Sequence, residues 1–141
     1  MLKKILVATD GSECSRRALK TALVFARKFN AEVELLFVTV DQVIYSFGEA
    51  VSYVASPEQI EREGEIALNA TLEGIDISDI TLKKKRLPGN PGNVIIQEVE
   101  NENIDMVVMG SHGYGAIVGS ILGSVSHKVL HGAKCLVLIA K

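Results

Sequence analysis

Tryptophan is absent, cysteine occurs twice, proline three times, and basic residues show no excess over acidic ones. Each scarcity removes a class of protein. Cys14 and Cys135 stand far apart, which makes neither a disulfide framework nor a zinc spacing and fits a reducing compartment. Fifteen Lys and Arg stand against seventeen Asp and Glu, for a formal net charge of −2. Nucleic-acid binders normally carry a clear basic excess, so none is expected as a partner. No apolar run approaches the roughly 20 residues of a membrane span. The opening MLKKILVATDGS has only about five apolar residues before Asp10, too few for a signal-peptide core. A cytoplasmic protein with no membrane partner is expected.

What is present suits one compact domain over residues 1–141, with 48% hydrophobic and 23% charged residues and enough length to bury a core. KKILVAT (3–9) is a short apolar run typical of a strand buried on both faces. Asp10-Gly11-Ser12 breaks it, and Ser12 is a credible N-cap for a helix reaching about Lys28 along an Ala18, Leu19, Ala22, Leu23, Ala26 stripe. EVELLFVTV (32–40) is a second strand. From Asp41 to Ala55 the pattern dissolves, and a long, partly helical connection is expected. Ser56-Pro57 starts a helix ending before Gly74. DITLKKKRL (79–87) reads as a third strand whose lysines suit a sheet edge. A helix from Asn90-Pro91, with Val94, Ile95 and Val99 inward, precedes a fourth strand at 104–110. A short helix (124–131) and a fifth strand, CLVLIAK (135–141), close the chain. Strand and helix alternate about five times, which predicts an α/β fold with an open parallel sheet covered on both faces.

The stretch MGSHGYGAIVGSILGSVSHKVL (109–130) holds five glycines. It lacks the Gly-Lys-Ser/Thr ending of a Walker A loop, because Ser124 follows Gly123. It also misses the dinucleotide fingerprint: after Gly113-Tyr114-Gly115 the next glycine is Gly119, one residue late, and the stretch follows strand four. What remains is a strand ending at Gly110, a glycine-rich loop and a helix starting near Ser124. A helix N-terminus favours an anion. Gly123 allows close approach, Ser124 and Ser126 add hydroxyl donors, and Gly110 and Gly113 permit unusual dihedrals that turn N–H groups inward. Gly115 and Gly119 have no assigned role. In doubly wound sheets ligands sit beyond the strand carboxyl ends where strand order reverses. If strand one lies between strands two and four, Asp10 faces Gly110 to Gly113. Asp10 then suits a ribose hydroxyl or a magnesium ion, or serves only as a turn cap.

ILVATDGSECSRRAL, LLFVTV, the closing CLVLIAK and above all Gly110-x2-Gly113-x9-Gly123-Ser124 make the chain similar to universal stress proteins of the ATP-binding type. That resemblance implies a three-layer, doubly wound, five-stranded parallel sheet of order 3-2-1-4-5, adenine-nucleotide alpha-hydrolase-like. It implies ATP as ligand, with Mg2+ or Mn2+, Asp10 touching the ion at most indirectly. Ala8, Thr9 and Asp10 would lie near ribose and adenine, and the backbone of Val38 would meet the base. Met109, Gly110, His112 and Gly113 would approach ribose and phosphates, while Gly123, Ser124, Val125 and Ser126 would bind the outer phosphates. His112 stands where relatives often have arginine, so any charge it lends depends on pH.

Catalytic equipment is sparse. His127 and His131 share a helix spacing but have no evident third ligand. No G-x-S-x-G occurs, and phosphoryl transfer lacks a base beyond Asp10. Cys14, in the first helical turn, reads as inert. The expected function is a nucleotide-dependent stress sensor or switch that acts on a downstream protein. A slow ATPase or nucleotidyl-transfer enzyme on the same fold is the alternative. The apolar final strand, if at the sheet edge, invites homodimerisation.

Overall fold

The computed structural model describes residues 1–40, 42–53, 56–113 and 122–141. In chain order the elements are β1 (Lys4–Thr9), α1 (Glu13–Phe29), β2 (Glu32–Val40), β3 (Gln42–Ser46), β4 (Glu49–Tyr53) and α2 (Pro57–Leu72). They continue with β5 (Leu82–Gly89), α3 (Pro91–Asn101), β6 (Met106–Gly110), α4 (Ser124–Gly132) and β7 (Leu136–Ala140). Five strands form one parallel sheet in the order β5-β2-β1-β6-β7. This is the expected 3-2-1-4-5 order, and β1 sits between the second and fourth sheet strands.

The period-two alternation of the strands builds the two faces. Ile5 and Val7 of β1 join Leu19, Leu23, Leu35 and Leu68 under α1 and α2, while Leu6 joins Leu36, Ile95, Val107 and Val129 under α3 and α4. All of these except Leu23 are at most 1% exposed. The sheet is therefore apolar on both sides, as parallel sheets require.

Three helix starts follow their sequence signals. Ser12, Ser56 and Asn90 each accept a hydrogen bond from the backbone N–H three residues on. Asn30 ends α1 in the left-handed region at φ 54°, a conformation its short polar side chain tolerates.

Two expectations change. The partly helical connection expected over 41–55 is absent from its described residues: Gln42–Ser46 and Glu49–Tyr53 form an antiparallel hairpin. Its two-residue turn puts both Phe47 (φ 53°) and Gly48 (φ 79°) at positive φ, as hairpin twist demands. The third sheet strand starts later than expected, at Leu82, because Asp76 to Ile80 form turns: Asp76 Oδ1 accepts from Ser78 N–H, and Ile77 C=O from Ile80 N–H. It is an edge, pairing only with β2 among the described residues. That position tolerates Pro88, which has no N–H to donate.

One of its lysines is not a solvated edge charge. Lys85 reaches inward to Glu98, which is 4% exposed, and to Glu102 at 3.4 Å.

Candidate functional site

β1 ends at Thr9, and the chain turns sharply to enter α1. Asp10 Oδ1 accepts from Ser12 N–H at 2.9 Å and from Ser15 Oγ at 3.1 Å, which pins that carboxylate to the first turn of α1. Thr71 Oγ1 donates to Ala67 C=O at 2.7 Å and lies 2.6 Å from Thr9 Oγ1. The Thr9 hydroxyl is therefore the donor to Thr71, while it accepts from Gly11 N–H at 3.0 Å. The Thr9 hydroxyl is thus engaged in the fold.

On the other side of the sheet centre, β6 ends at Gly110. Gly123 N–H donates to Ser111 C=O at 2.7 Å, and Ser126 Oγ donates to Gly110 C=O at 2.8 Å. These bonds staple the start of α4 to the end of β6. Ser126 is 3% exposed, and its only hydroxyl hydrogen goes to Gly110. It is no side-chain donor for a ligand, contrary to expectation, and only its backbone N–H remains to offer one.

The start of α4 differs from the other three helix starts among the described residues. Its N-cap is Gly123, and no side chain accepts from its first turn. The first intrahelical bond is His127 N–H to Gly123 C=O at 3.0 Å. The N–H groups of Ser124, Val125 and Ser126 come before that bond and so have no intrahelical partner. They open onto a cavity of about 510 Å³.

That cavity lies beyond the carboxyl ends of β1, β2 and β6. All twelve residues singled out from the sequence line it: Ala8, Thr9, Asp10, Val38, Met109, Gly110, His112, Gly113, Gly123, Ser124, Val125 and Ser126. Local patterns do not reveal the further lining by Leu36, Phe37, Val40, Pro91 and Ile95, the apolar walls, or by Ser12, Ser15 and Glu63. Of these, Glu63, Pro91 and Ile95 reach the crevice because α2 and α3 pack against the sheet. Among the described residues no Lys or Arg lines the cavity; its charged or titratable side chains are Asp10, Glu63 and His112. His112 Nδ1 lies 3.2 Å from Ser111 Oγ.

The glycines serve space rather than dihedral freedom. Neither Gly110 nor Gly113 has positive φ, contrary to the expectation that their dihedrals would turn the loop inward. A β-carbon on Gly113 would collide with the Asp10 carboxylate, and one on Gly110 would come within 2.8 Å of Cys14 Cβ. At Gly110 the packed first turn of α1 leaves no room for a side chain, and at Gly113 the Asp10 carboxylate occupies the place one would take. Gly115 and Gly119 lie outside the described residues.

Other chemistry-bearing groups do not assemble. The His127 and His131 rings lie 4.5 Å apart, tilted by 55°, on an exposed helix face, and the described residues contain no cluster of three or more metal-ligating side chains. Cys14 is half-buried, with Arg17 Nη2 at 3.1 Å from its sulfur. A second cleft, of about 590 Å³, lies at the amino ends of the strands near Lys3 and Asn30. There Arg27 is already committed to Asp79 at 2.9 Å, and no switch-point crevice exists at that end of a parallel sheet.

Away from the crevice, Glu34 is 7% exposed beneath α3, and its Oε1 has no hydrogen-bond donor among the described residues. Burial pushes its carboxyl up to about 7. Sharing a hydrogen bond with Glu98 and the Glu98 charge push the same way, and Lys85 opposes them.

The model of the universal stress protein family matches residues 1–141. The chain belongs to the universal stress protein family. Among relatives, a universal stress protein of Thermus aquaticus is 34% identical over 142 residues, covering both chains completely. One from Methanocaldococcus jannaschii is 31% identical over 141 residues, covering 100% of this chain and 83% of its own. Among solved structures, UspA of Lactobacillus plantarum superposes with a TM-score of 0.73 at 20% identity, covering 99% and 98% of the two chains. A universal stress protein in complex with cAMP has a TM-score of 0.68 at 22% identity, covering 99% and 97%. A family protein of Arabidopsis thaliana with AMP bound has 0.59 at 22%, covering 99% and 91%. The parallel five-stranded sheet with four helices is thus the universal stress protein form of the adenine-nucleotide alpha-hydrolase-like fold. No helix among the described residues is long and apolar enough to cross a membrane.

Proposed function

We propose that this universal stress protein binds ATP in the crevice beyond β1, β2 and β6 and acts as a nucleotide-dependent sensor or switch. The observation that carries the reading is the uncapped start of α4. Its free N–H groups and positive dipole end open onto a cavity of nucleotide size, where an anion is favoured. The occurrence of cAMP and AMP in two neighbours of the same fold supports an adenine nucleotide as the ligand class.

In this reading the apolar walls take the base against Val38, and Ala8, Thr9 and Asp10 lie along base and ribose. Met109, Gly110, His112 and Gly113 approach the ribose and first phosphate. The backbone N–H groups of Ser124, Val125 and Ser126 take the outer phosphates, with Gly123 giving room. The donor set fits a phosphate chain without a cationic side chain. Mg2+ or Mn2+ supplies the missing positive charge, held by phosphate and water, with Asp10 contributing through a water at most.

Residues 1–141 work as one cytoplasmic domain and pair as a homodimer through the exposed edge of β7, and the bound state is read by a downstream protein. Candidate bases are few among the described residues: Asp10 is pinned by Ser12 and Ser15, and His112 is the one titratable side chain set toward the first phosphate in this reading. Hydrolysis is therefore slow at most.

Calorimetric titration with Mg-ATP tests the reading directly, and mass spectrometry of the purified protein is expected to find co-purifying adenine nucleotide. No binding heat with ATP, ADP or AMP overturns it. Sustained multiple-turnover phosphate release that is lost in Asp10→Ala would replace the switch with an enzyme.

A further inference from the structure

His127 and His131 stand four residues apart on α4, so a helix of about 3.6 residues per turn sets them on one face. Ser126 and Val129 fill the buried face of that helix, and both histidines are exposed opposite them. Their rings have already met, with centroids 4.5 Å apart and planes tilted by 55°.

Both values bear on whether one ion can sit between the rings. An imidazole ligates through a ring-nitrogen lone pair, which lies in the plane of the ring. Parallel stacked rings share no point, whereas planes tilted by 55° intersect, and an ion on that line lies in both. With nitrogen-to-metal distances of about 2.1 Å, each ring centroid stands about 3.2 Å from the ion. Two ligands at anything from a right angle to a tetrahedral angle then place the centroids about 4.5 to 5.2 Å apart. The observed 4.5 Å falls at the right-angle end of that span.

The nearest basic side chains in sequence lean away. Lys128 lies over α3, where a β-carbon on Gly92 would be 2.7 Å from its Cδ. Lys134 also turns to α3, with its Nζ 3.6 Å from Glu100.

We propose that His127 and His131 form a two-nitrogen clamp on the outer face of α4 for a borderline divalent transition cation, of the Ni2+ or Zn2+ kind. Imidazoles suit such ions, whereas Mg2+ and Ca2+ take oxygen ligands. The clamp is therefore chemically distinct from any ion carried in with phosphates. Among the described residues no third side chain joins the pair, so water completes the coordination. Neither histidine lines the crevice, and the inference does not rest on the nucleotide reading.

Calorimetric titration of the full chain with Ni2+ and with Zn2+ tests the clamp, alongside His127→Ala, His131→Ala and the double variant. One ion per chain is expected at this site. Each single substitution should weaken binding by about tenfold or more, because the second imidazole acts at high effective concentration. The double variant should lose the site, and Mg2+ should not compete for it. His112, Cys14 and Cys135 stay in every variant, so any site they form alone survives the substitutions.

Thermal unfolding is recorded for each protein with and without Ni2+. The ion should raise the midpoint of the unaltered chain and leave that of the double variant unchanged. Metal-free midpoints should agree, since both side chains are exposed. Full affinity in either single variant, one ion per two chains, or an equal rise in the double variant overturns the clamp.

Discussion

Gly113 faces Asp10 across the crevice so closely that a β-carbon on it would overlap Oδ2 and lie 3.0 Å from Cγ. The aspartate has little freedom to yield, because its other oxygen caps the first turn of α1 through Ser12 and Ser15. Gly113→Ala is therefore expected to push the carboxylate and the loop apart. Nucleotide affinity should fall by about tenfold or more while global stability changes by less than about 1 kcal/mol, since the site is exposed. Gly110→Ala is a different lesion. Its β-carbon would meet Cys14 Cβ at 2.8 Å and the Cys14 carbonyl at 3.0 Å, atoms of a packed helix that cannot swing away. A loss of about 1–3 kcal/mol is expected from such overpacking. Denaturant melts and calorimetry on both variants separate the two effects, and an unaffected Gly110→Ala would contradict the packing.

Charge in the crevice makes a second prediction. Among the described residues its lining has two carboxylates, Asp10 and Glu63, and no Lys or Arg. ATP, with its long phosphate chain, is expected to need a divalent cation, whereas AMP needs little help. Removing Mg2+ with a chelator should weaken ATP by about tenfold or more and AMP by less than about threefold. Equal losses for the two nucleotides would place a cation elsewhere.

The buried Glu34 gives stability a pH dependence of unusual sign. Its carboxyl is pushed up to about 7 in the folded chain by burial, then by Glu98. The folded state therefore holds this proton more tightly than the unfolded state, whose carboxyl titrates near the ordinary value of about 4.3. The stabilisation is fully present below that value and is lost as pH rises through the folded pKa. The charged groups around it are Glu98 of α3, the α3 C-cap Glu102, Lys83 and Lys85 of β5, and Lys4 of β1, whose Nζ lies 3.2 Å from the Glu102 carbonyl and 3.6 Å from Glu32. Unfolding midpoints are expected to fall from about pH 5 to about pH 8, and Glu34→Gln, which imitates the protonated form, should flatten that fall. A stability curve that rises over this range in the unaltered chain, or a slope untouched by Glu34→Gln, would remove Glu34 from the account.

β7 pairs only with β6 among the described residues, and Leu136 on it is 67% exposed. An open apolar edge of this kind invites pairing with a second copy. Light scattering at micromolar concentration is expected to give twice the chain mass, and Leu136→Lys should shift the population toward monomer. A monomeric unaltered chain would refute the interface.

Much of this molecule is legible in local sequence because local physics decides it. Ser12, Ser56 and Asn90 cap helices wherever the tertiary fold puts them, since the acceptor and the N–H it satisfies lie three residues apart. The apolar runs 4–9, 32–40 and 106–110 mark strands buried on both faces. The hairpin at 42–53 was illegible for a comparable reason. Its turn rests on Phe47 at positive φ, where Asn or Gly would have announced it.

The glycine spacing from Gly110 to Gly123 was sufficient to find the crevice. What it could not decide is which groups remain available there. Ser126 looks like a phosphate donor by position, yet its hydroxyl goes to Gly110 C=O; Thr9 looks like a ribose contact, yet its hydroxyl goes to Thr71. Those partners are 16 and 62 residues away in the chain. Likewise Glu63 and Ile95 reach the site only because α2 and α3 pack on opposite faces of one sheet. The sequence by itself determined most of the elements, three of the helix caps and the spacing of Gly110, Gly113 and Gly123, because those depend on neighbours a few residues apart. The tertiary structure alone decided which hydroxyls are engaged, which carboxylates line the crevice and which one is buried, because hydrogen-bond partners and dielectric surroundings exist only once distant segments have packed together.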